Sequence, residues 1–222
     1  EACIAGLRLP HRASTWSDYY AGTNYTPEAL ESKREFVRAA LREVRPSVVW
    51  DLGANTGPFS RLASEAGALT VAMDGDPLAA EFHYREVVAR GERRVLPLVV
   101  DLASPSPSLG WDGRERRSLF DRGPADLALA LALVHHLAIG SNVPLESIAS
   151  SFSRMADWLV VEFVPKADSQ VQRMLRSRQD VFPDYTASGF EAAFDRHFEV
   201  RRRADVAGSD RSLFLLRRRS PA

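Results

Sequence analysis

Apolar residues fall along the chain in short runs, separated by segments in which polar residues dominate. Four runs occupy residues 47–52, 69–73, 95–100 and 126–134, and a fifth occupies residues 158–164. Continuous apolar runs of this length are typical of strands buried on both faces, as in a parallel sheet. The Ala/Leu run at 126–134 also suits a buried helix. We favour a strand because its place in the alternation requires one.

Helical spacing appears between these runs. Apolar residues recur at helical intervals over residues 27–44, Thr26 is suited to cap that helix, and Pro27 suits its first turn. Further helices are predicted over 59–67 and 145–156. The chain therefore alternates strand and helix.

The end of the chain predicts a hairpin, in which residues 198–206 and 211–217 flank a polar turn. Alternating strands and helices closed by a hairpin predict one α/β domain, an open doubly wound sheet with one antiparallel strand. Pro97 cannot donate a backbone hydrogen bond, so the third run is expected at an edge or a bulge.

The turn after the first strand has the composition of a ligand-binding turn. Residues 51–57 read Asp-Leu-Gly-Ala-Asn-Thr-Gly. Gly53 and Gly57 permit a sharp turn and close approach of a ligand, and Asn55 is the non-glycine residue best suited to a left-handed conformation. Asp51 would place a carboxylate beneath a ligand that carries a positive amino group. An ordinary tight strand–helix turn is the alternative.

Acidic residues also end the next two strands. Asp74 lies 21 residues after Gly53, a spacing at which an acid accepts hydrogen bonds from ribose hydroxyls in nucleoside-binding sheets. Asp76 is close by but suits the cap of the following helix. Asp101, followed by Leu102, ends the third strand, where an adenine amino group could be held. Three neighbouring strands therefore bring carboxylates to one edge of the sheet.

These residues resemble a known superfamily. Residues 51–57 are similar to the first motif of class I S-adenosylmethionine-dependent methyltransferases, and Asp74 and Asp101 match the acids that end the second and third strands in that superfamily. The resemblance covers about residues 47–217. It implies a Rossmann-like doubly wound sheet of seven strands, order 3-2-1-4-5-7-6 with strand 7 antiparallel, and S-adenosylmethionine as cofactor. The phosphate-binding triple-glycine pattern of dehydrogenases is absent, which favours this cofactor over a nicotinamide.

The same resemblance divides the chain into an N-terminal helical extension or lid (residues 1–45) and a methyltransferase domain (residues 46–219). The aromatic stretch 16–25 would either fold over the cofactor or pack the first helix onto the sheet edge.

Four further segments resemble a bacterial methyltransferase group that includes NoeA-type host-specific nodulation proteins. They are residues 101–111, 133–137, 162–170 and 182–185. The acceptors of that group are poorly defined, so this resemblance assigns no acceptor and no catalytic residue.

Three polar residues lie at the carboxyl ends of the fourth and fifth strands, where the fold would hold the methyl acceptor. His135 or His136 could accept a proton from a hydroxyl acceptor, since imidazole titrates near neutrality. Packing or solvation of these histidines is the alternative. Glu162 lies inside an apolar strand, where a carboxylate needs a partner or a ligand. The three residues have no compact metal-ligand spacing, so no metal site is predicted.

Charge and composition limit the partners. Basic and acidic residues are equal in number, 29 each, so the global charge favours neither nucleic acid nor membrane. The arginines at 114–117, 201–203 and 217–219 suit a solvated surface or guarded sheet edges.

The Asn/Asp-Pro-Pro-aromatic motif of amino-group methylation is missing. We therefore expect O-methylation of a small molecule, sugar or natural-product intermediate. An RNA or protein acceptor, or a non-catalytic scaffold module, is the alternative.

Cys3 is the single cysteine, no apolar run approaches the roughly 20 residues of a membrane span, and no signal pattern is present, so a cytoplasmic protein is expected. The chain begins with Glu1 rather than Met and could be part of a longer protein. The oligomeric state is left open.

Overall fold

The computed structural model describes residues 26–176 and 178–220. Its seven strands are β1 (Val48–Leu52), β2 (Leu69–Asp74), β3 (Val95–Val99), β4 (Ala125–Ala130), β5 (Ala156–Phe163), β6 (Phe198–Asp205) and β7 (Ser212–Arg218). Its α-helices are α1 (Pro27–Val44), α2 (Pro58–Glu65), α3 (Pro77–Arg90), α4 (Leu145–Met155), α5 (Ser169–Leu175) and α6 (Ala187–Asp195). The aromatic stretch 16–25 predicted as a lid lies outside the described residues.

The strands form one seven-stranded sheet in the order β3-β2-β1-β4-β5-β7-β6. Strands β1 to β5 pair in parallel, whereas β7 runs antiparallel to both β5 and β6. The predicted α/β class, strand order and antiparallel strand are confirmed. Chain order reverses between β1 and β4, which is where open α/β sheets hold their ligands, beyond the carboxyl ends of the strands.

The predicted strands agree with the structure except at the end of β4. That strand was expected to reach residue 134 but ends at Ala130. Ala132 has a φ of 50°, in the left-handed region, and this conformation turns the chain out of the sheet. Residues 136–140 then form a π-helical turn. The expected edge position of Pro97 is confirmed, because β3 is an outer strand of the sheet.

Helix α1 begins and ends where local chemistry requires. The Thr26 side chain accepts a hydrogen bond from the Ala29 backbone amide at 3.1 Å, and Arg45, with a φ of 51°, ends the helix in a left-handed conformation. One face of the helix is buried against the sheet. The buried positions are Ala29, Lys33, Phe36, Val37, Ala40 and Leu41.

Two apolar layers cover the two faces of the sheet. Alternate residues of β4 serve opposite layers: Leu127 and Leu129 pack with α1 and α2, whereas Ala128 and Ala130 pack with α4 and α6. Helix α1 therefore packs directly on the sheet domain. The division of the chain at residues 45 and 46 remains a prediction.

Candidate functional site

The turn after β1 is anchored to the neighbouring strand through its backbone. The amides of Gly53 and Ala54 both donate to the carbonyl of Met73 at the end of β2, at 2.8 and 2.9 Å. Gly53, Asn55 and Gly57 have φ values of 75°, 49° and 78°, all in the left-handed region. The turn therefore needs the residue types that the motif contains.

Gly57 is required by packing as well as by conformation. A Cβ built at Gly57 would lie 2.0 Å from Nε2 of His83, on helix α3. His83 is buried, and burial lowers the pKa of its imidazole to about 4, with the charge of Arg61 acting in the same direction. A neutral ring thus fills the space beneath the turn. Nothing in the sequence pattern singled out His83.

Asp74 organises the crevice beside this turn. Its two carboxylate oxygens accept from the backbone amides of Asn55 at 2.7 Å and Asp76 at 2.8 Å. Desolvation raises the pKa of Asp74, and these two amides oppose that shift. Each carboxylate oxygen can accept a second hydrogen bond, which leaves capacity for ligand hydroxyls. Asp76 caps helix α3 through the Leu78 amide at 2.9 Å, the alternative expected for it.

Asp51 lies below the turn and is 3% exposed. The hydroxyl of Ser60, on helix α2, donates to its carboxylate at 2.5 Å. Desolvation raises the pKa of Asp51 to about 7, and the neighbouring charge of Asp74 adds to that shift. The carboxylates of Asp51 and Asp74 therefore interact electrostatically.

Asp101 and Leu102 lie further along the same edge. Val99 is the register partner of Asp74, so Asp101 follows two residues beyond that pairing. Its side chain is exposed and accepts from the Ala103 amide at 2.9 Å. Leu102 is half-buried against the core. The cofactor roles of these residues, and of the other predicted cofactor-binding residues, remain predictions.

The two histidines follow the turn after β4 and lie against each other. Their ring centroids are 4.1 Å apart, and Nδ1 of His135 is buried with no hydrogen-bond partner among the described residues. Desolvation lowers the pKa of His135 well below its usual value and that of His136 to about 4, and the charge of Arg211 lowers both. Both rings are neutral at neutral pH, the form a proton acceptor requires, although they are weak bases.

Glu162 belongs to a buried group of charges. Its Oε2 accepts from Nζ of Lys33 at 2.7 Å and from the Ala132 backbone amide at 2.8 Å. A guanidinium nitrogen of Arg211 lies 3.6 Å from Oε1, and Nε of Arg211 donates to Asp168 at 2.7 Å. All four charged side chains are at most 7% exposed. The structure thus supplies the partners that a carboxylate inside an apolar strand requires.

Sequence reasoning missed Lys33, Arg211 and Asp168. Lys33 had a usable signal, because it lies on the apolar stripe of α1, where a lysine needs a buried acid. Arg211 and Asp168 had no such signal. Each lies in a polar stretch directly before a strand or helix, β7 and α5 respectively.

The remaining charged side chains bear on metal and polyanion binding. Over residues 26–176 and 178–220, no group of three or more His, Cys, Asp or Glu side chains is arranged to hold a metal ion. Arginines on β6 are paired with acids, such as Arg203 with Glu191 at 2.7 Å, as expected for a guarded edge strand. In the described part of the chain, no helix has the length and apolar character needed to cross a bilayer.

Comparison with solved structures defines the fold class. The chain superposes on the N-methyltransferase NodS from Bradyrhizobium japonicum WM9 with a TM-score of 0.64 at 12% identity, covering 87% of this chain and 98% of that one. It superposes on magnesium protoporphyrin IX methyltransferase from Synechocystis PCC 6803, solved with bound SAH, with a TM-score of 0.58 at 19% identity, covering 86% and 84%. The fold is that of class I S-adenosylmethionine-dependent methyltransferases, which confirms the superfamily resemblance at the level of fold.

A curated relative makes the similarity more specific. The chain is 38% identical over 217 residues to nodulation protein NoeA of Rhizobium meliloti (strain 1021), across 97% of this chain. The resemblance to the NoeA-type group is thereby confirmed. The chain spans 45% of the length of that relative. No family model matches the chain.

Proposed function

We propose that this chain binds S-adenosylmethionine and transfers its methyl group to an oxygen of a small molecule, sugar or natural-product intermediate. The observation that carries the proposal is the turn of residues 53–57, anchored on Met73 beside the Asp74 carboxylate at the point where strand order reverses. In open α/β sheets, nucleotide and nucleoside ligands bind in a crevice at this position.

The residues present fit this cofactor. Gly53, Asn55 and Gly57 supply the left-handed conformations on which the shape of the turn depends, and Asp74 keeps acceptor capacity for ribose hydroxyls. Asp101 with Leu102 would hold the adenine at the end of β3. Asp51 would supply negative charge near the amino group. We carry each of these roles over from the superfamily motif.

When bound, the cofactor would supply an electrophilic methyl group on a sulfonium. An acceptor hydroxyl would form the new O–C bond as the C–S bond breaks, and its proton has to leave. His135 or His136 would take that proton, because both imidazoles are neutral at neutral pH. Glu162 is the poorer base, since Lys33 and a backbone amide already occupy its Oε2.

The first test is calorimetry with S-adenosylmethionine and S-adenosylhomocysteine. We expect saturable binding to the wild type and an affinity about 10- to 100-fold lower for Asp74→Asn, as for loss of a charged hydrogen bond. Asp76→Asn is the matched control, because asparagine also caps helices well, and its affinity should be unchanged. No binding at millimolar ligand would refute the proposal. Equal affinities for both variants would show that Asp74 is the wrong acid.

The second test is release of S-adenosylhomocysteine in the presence of candidate acceptors. The proposal is supported if S-adenosylhomocysteine is released with a hydroxylated small molecule and the release does not depend on salt. Release only with RNA or a protein, falling steeply with added salt, would identify a macromolecular acceptor instead. Cofactor binding without release for any acceptor class would favour a non-catalytic scaffold module. We also propose that the protein acts in the cytoplasm. Its single cysteine cannot form a disulfide within this chain, which suits a reducing compartment.

A further inference from the structure

One oxygen of Glu162 holds two distant parts of the chain together. Its Oε2 accepts from Nζ of Lys33, on helix α1, at 2.7 Å, and from the backbone amide of Ala132 at 2.8 Å. Lys33 and Glu162 are 2% and 0% exposed. The ammonium that pairs with this oxygen therefore comes from outside the sheet, and the amide comes from the turn that follows β4.

The Ala132 turn needs such a restraint. Ala132 has a φ of 50°, a conformation that costs an alanine free energy and persists only where its surroundings impose it. The hydrogen bond from the Ala132 amide to the buried carboxylate is one such restraint. An apolar residue at position 162 would leave this amide without its acceptor.

The turn at residues 132–133 also contacts the turn at residues 53–57, where the cofactor is predicted to bind. The side chain of Leu133 lies against Gly53, so that a Cβ built at Gly53 would be 3.2 Å from Cδ1 of Leu133. The contacts run without a gap from Lys33 through Glu162 and the turn at 132–133 to Gly53. Helix α1 is thereby joined to the edge of the sheet on which the cofactor would bind.

We propose that Lys33 and Glu162 form a buried positioning pair that presses the β4 turn against Gly53 and so shapes the cofactor crevice. Glu162 acts through its bond to the Ala132 amide, and Lys33, together with Arg211, balances the charge of the carboxylate in an apolar interior. Helix α1 is then part of the cofactor site rather than a separable extension. The ligand in this inference rests on the proposed function, whereas the positioning of the turn does not.

Two double variants separate positioning from plain core stability. Lys33→Met with Glu162→Gln removes both charges but keeps an oxygen that can accept from the Ala132 amide. Lys33→Met with Glu162→Leu also removes both charges, fills the space with apolar atoms and removes the acceptor. Replacement of a buried ion pair by apolar residues is often neutral for stability, so both variants should fold. Urea unfolding measures any remaining difference in stability between them.

The first measurement is hydrogen exchange at the Ala132 amide, followed by NMR in protein without ligand. We expect the Gln variant to exchange within about threefold of the wild type and the Leu variant about tenfold faster or more, the effect of one lost buried hydrogen bond. Asp126→Asn is the control. Its carboxylate accepts the Ser47 and Val48 amides at the opposite end of the sheet, and its loss should not alter exchange at Ala132.

The second measurement is the affinity for S-adenosylhomocysteine, by calorimetry on the same proteins. The Leu variant should bind about tenfold more weakly than the Gln variant, beyond any difference in their stability. Equal exchange and equal affinity in the two double variants would overturn the proposal and leave the pair a structural one. If the wild type binds no ligand, the proposed function fails, and exchange at Ala132 still decides whether the pair positions the turn.

Discussion

The two halves of the carboxyl edge of the sheet are built in different ways. On the β1–β2 side, hydrogen bonds from backbone amides within a short stretch of chain make up the structure of the edge. Gly53 and Ala54 donate to Met73, and Asn55 donates to Asp74. On the β4–β5–β7 side, buried charged side chains make it. Lys33 and Glu162, for example, are separated by 129 positions in the sequence.

The difference decides how each half responds to change. A turn built from local backbone bonds depends on conformation, so its weak points are the residues that must be left-handed. A buried group of charges depends on every member, because removing one partner leaves the other charged in an apolar interior. We therefore expect the loss of one buried charge to destabilise the fold more than a change in the turn does, and a change in the turn to weaken ligand binding as well.

The largest effect should follow loss of the buried cation alone. Lys33→Met leaves the carboxylate of Glu162 at 0% exposure without its closest positive partner. We expect the free energy of unfolding to fall by about 3–5 kcal/mol, measured by urea denaturation. Arg34→Met is the matched control. Its pair with Glu31, at 3.3 Å, is exposed and should contribute less than about 1 kcal/mol. Comparable losses in the two variants would show that the buried pair has no special weight.

The turn could be predicted from the sequence because its determinants are local. The glycines, Asn55 and the acid at Asp74 lie within one strand–turn–helix–strand stretch, and each has a residue-level reason to be there. Parallel strands then bring their carboxyl ends together without further information. Strand order was expected correctly for a related reason, since the superfamily motif carries a topology with it.

A medium effect should follow from adding one methyl group to the turn. Gly57→Ala combines a left-handed φ of 78° with a Cβ only 2.0 Å from Nε2 of His83. We expect about 2–3 kcal/mol of destabilisation and a matching loss of cofactor affinity, by thermal unfolding and calorimetry. Gly91→Ala has a similar φ of 64° but no neighbour within 4 Å, so it should cost only about 1 kcal/mol.

Relief of the crowding provides the check on that explanation. Adding His83→Ala to Gly57→Ala removes the ring that the new Cβ would meet. The double variant should recover part of the stability lost by Gly57→Ala, although the strain of the left-handed alanine stays. If the losses of stability in the two single variants simply add in the double variant, contact between the two residues is not the cause of the destabilisation.

The charged half was only partly accessible to sequence reasoning. Glu162 was noticeable because a carboxylate interrupted an apolar strand, and Lys33 occupies an apolar position of an amphipathic helix. To predict that Lys33 pairs with Glu162, one must know that α1 packs at the end of β5. No local sequence pattern contains that information. The early end of β4 was missed for the same reason, because one restraint on left-handed Ala132 is its bond to Glu162, which lies 30 positions further along the chain.

The smallest expected effect is a pH dependence of cofactor affinity that links the two halves. Burial raises the pKa of Asp51 to about 7, so the free protein holds a proton there below that pH. A bound positive amino group would favour the carboxylate and lower this pKa, so binding would release the proton. Affinity should therefore rise by up to about tenfold between pH 6 and pH 7.5 and level off above. Calorimetry across that range should show the rise in wild type and none in Asp51→Asn. Because Lys33 also favours the charged form of Asp51, Lys33→Met should move the midpoint to higher pH, and an unmoved midpoint would mean that the two halves are electrostatically independent.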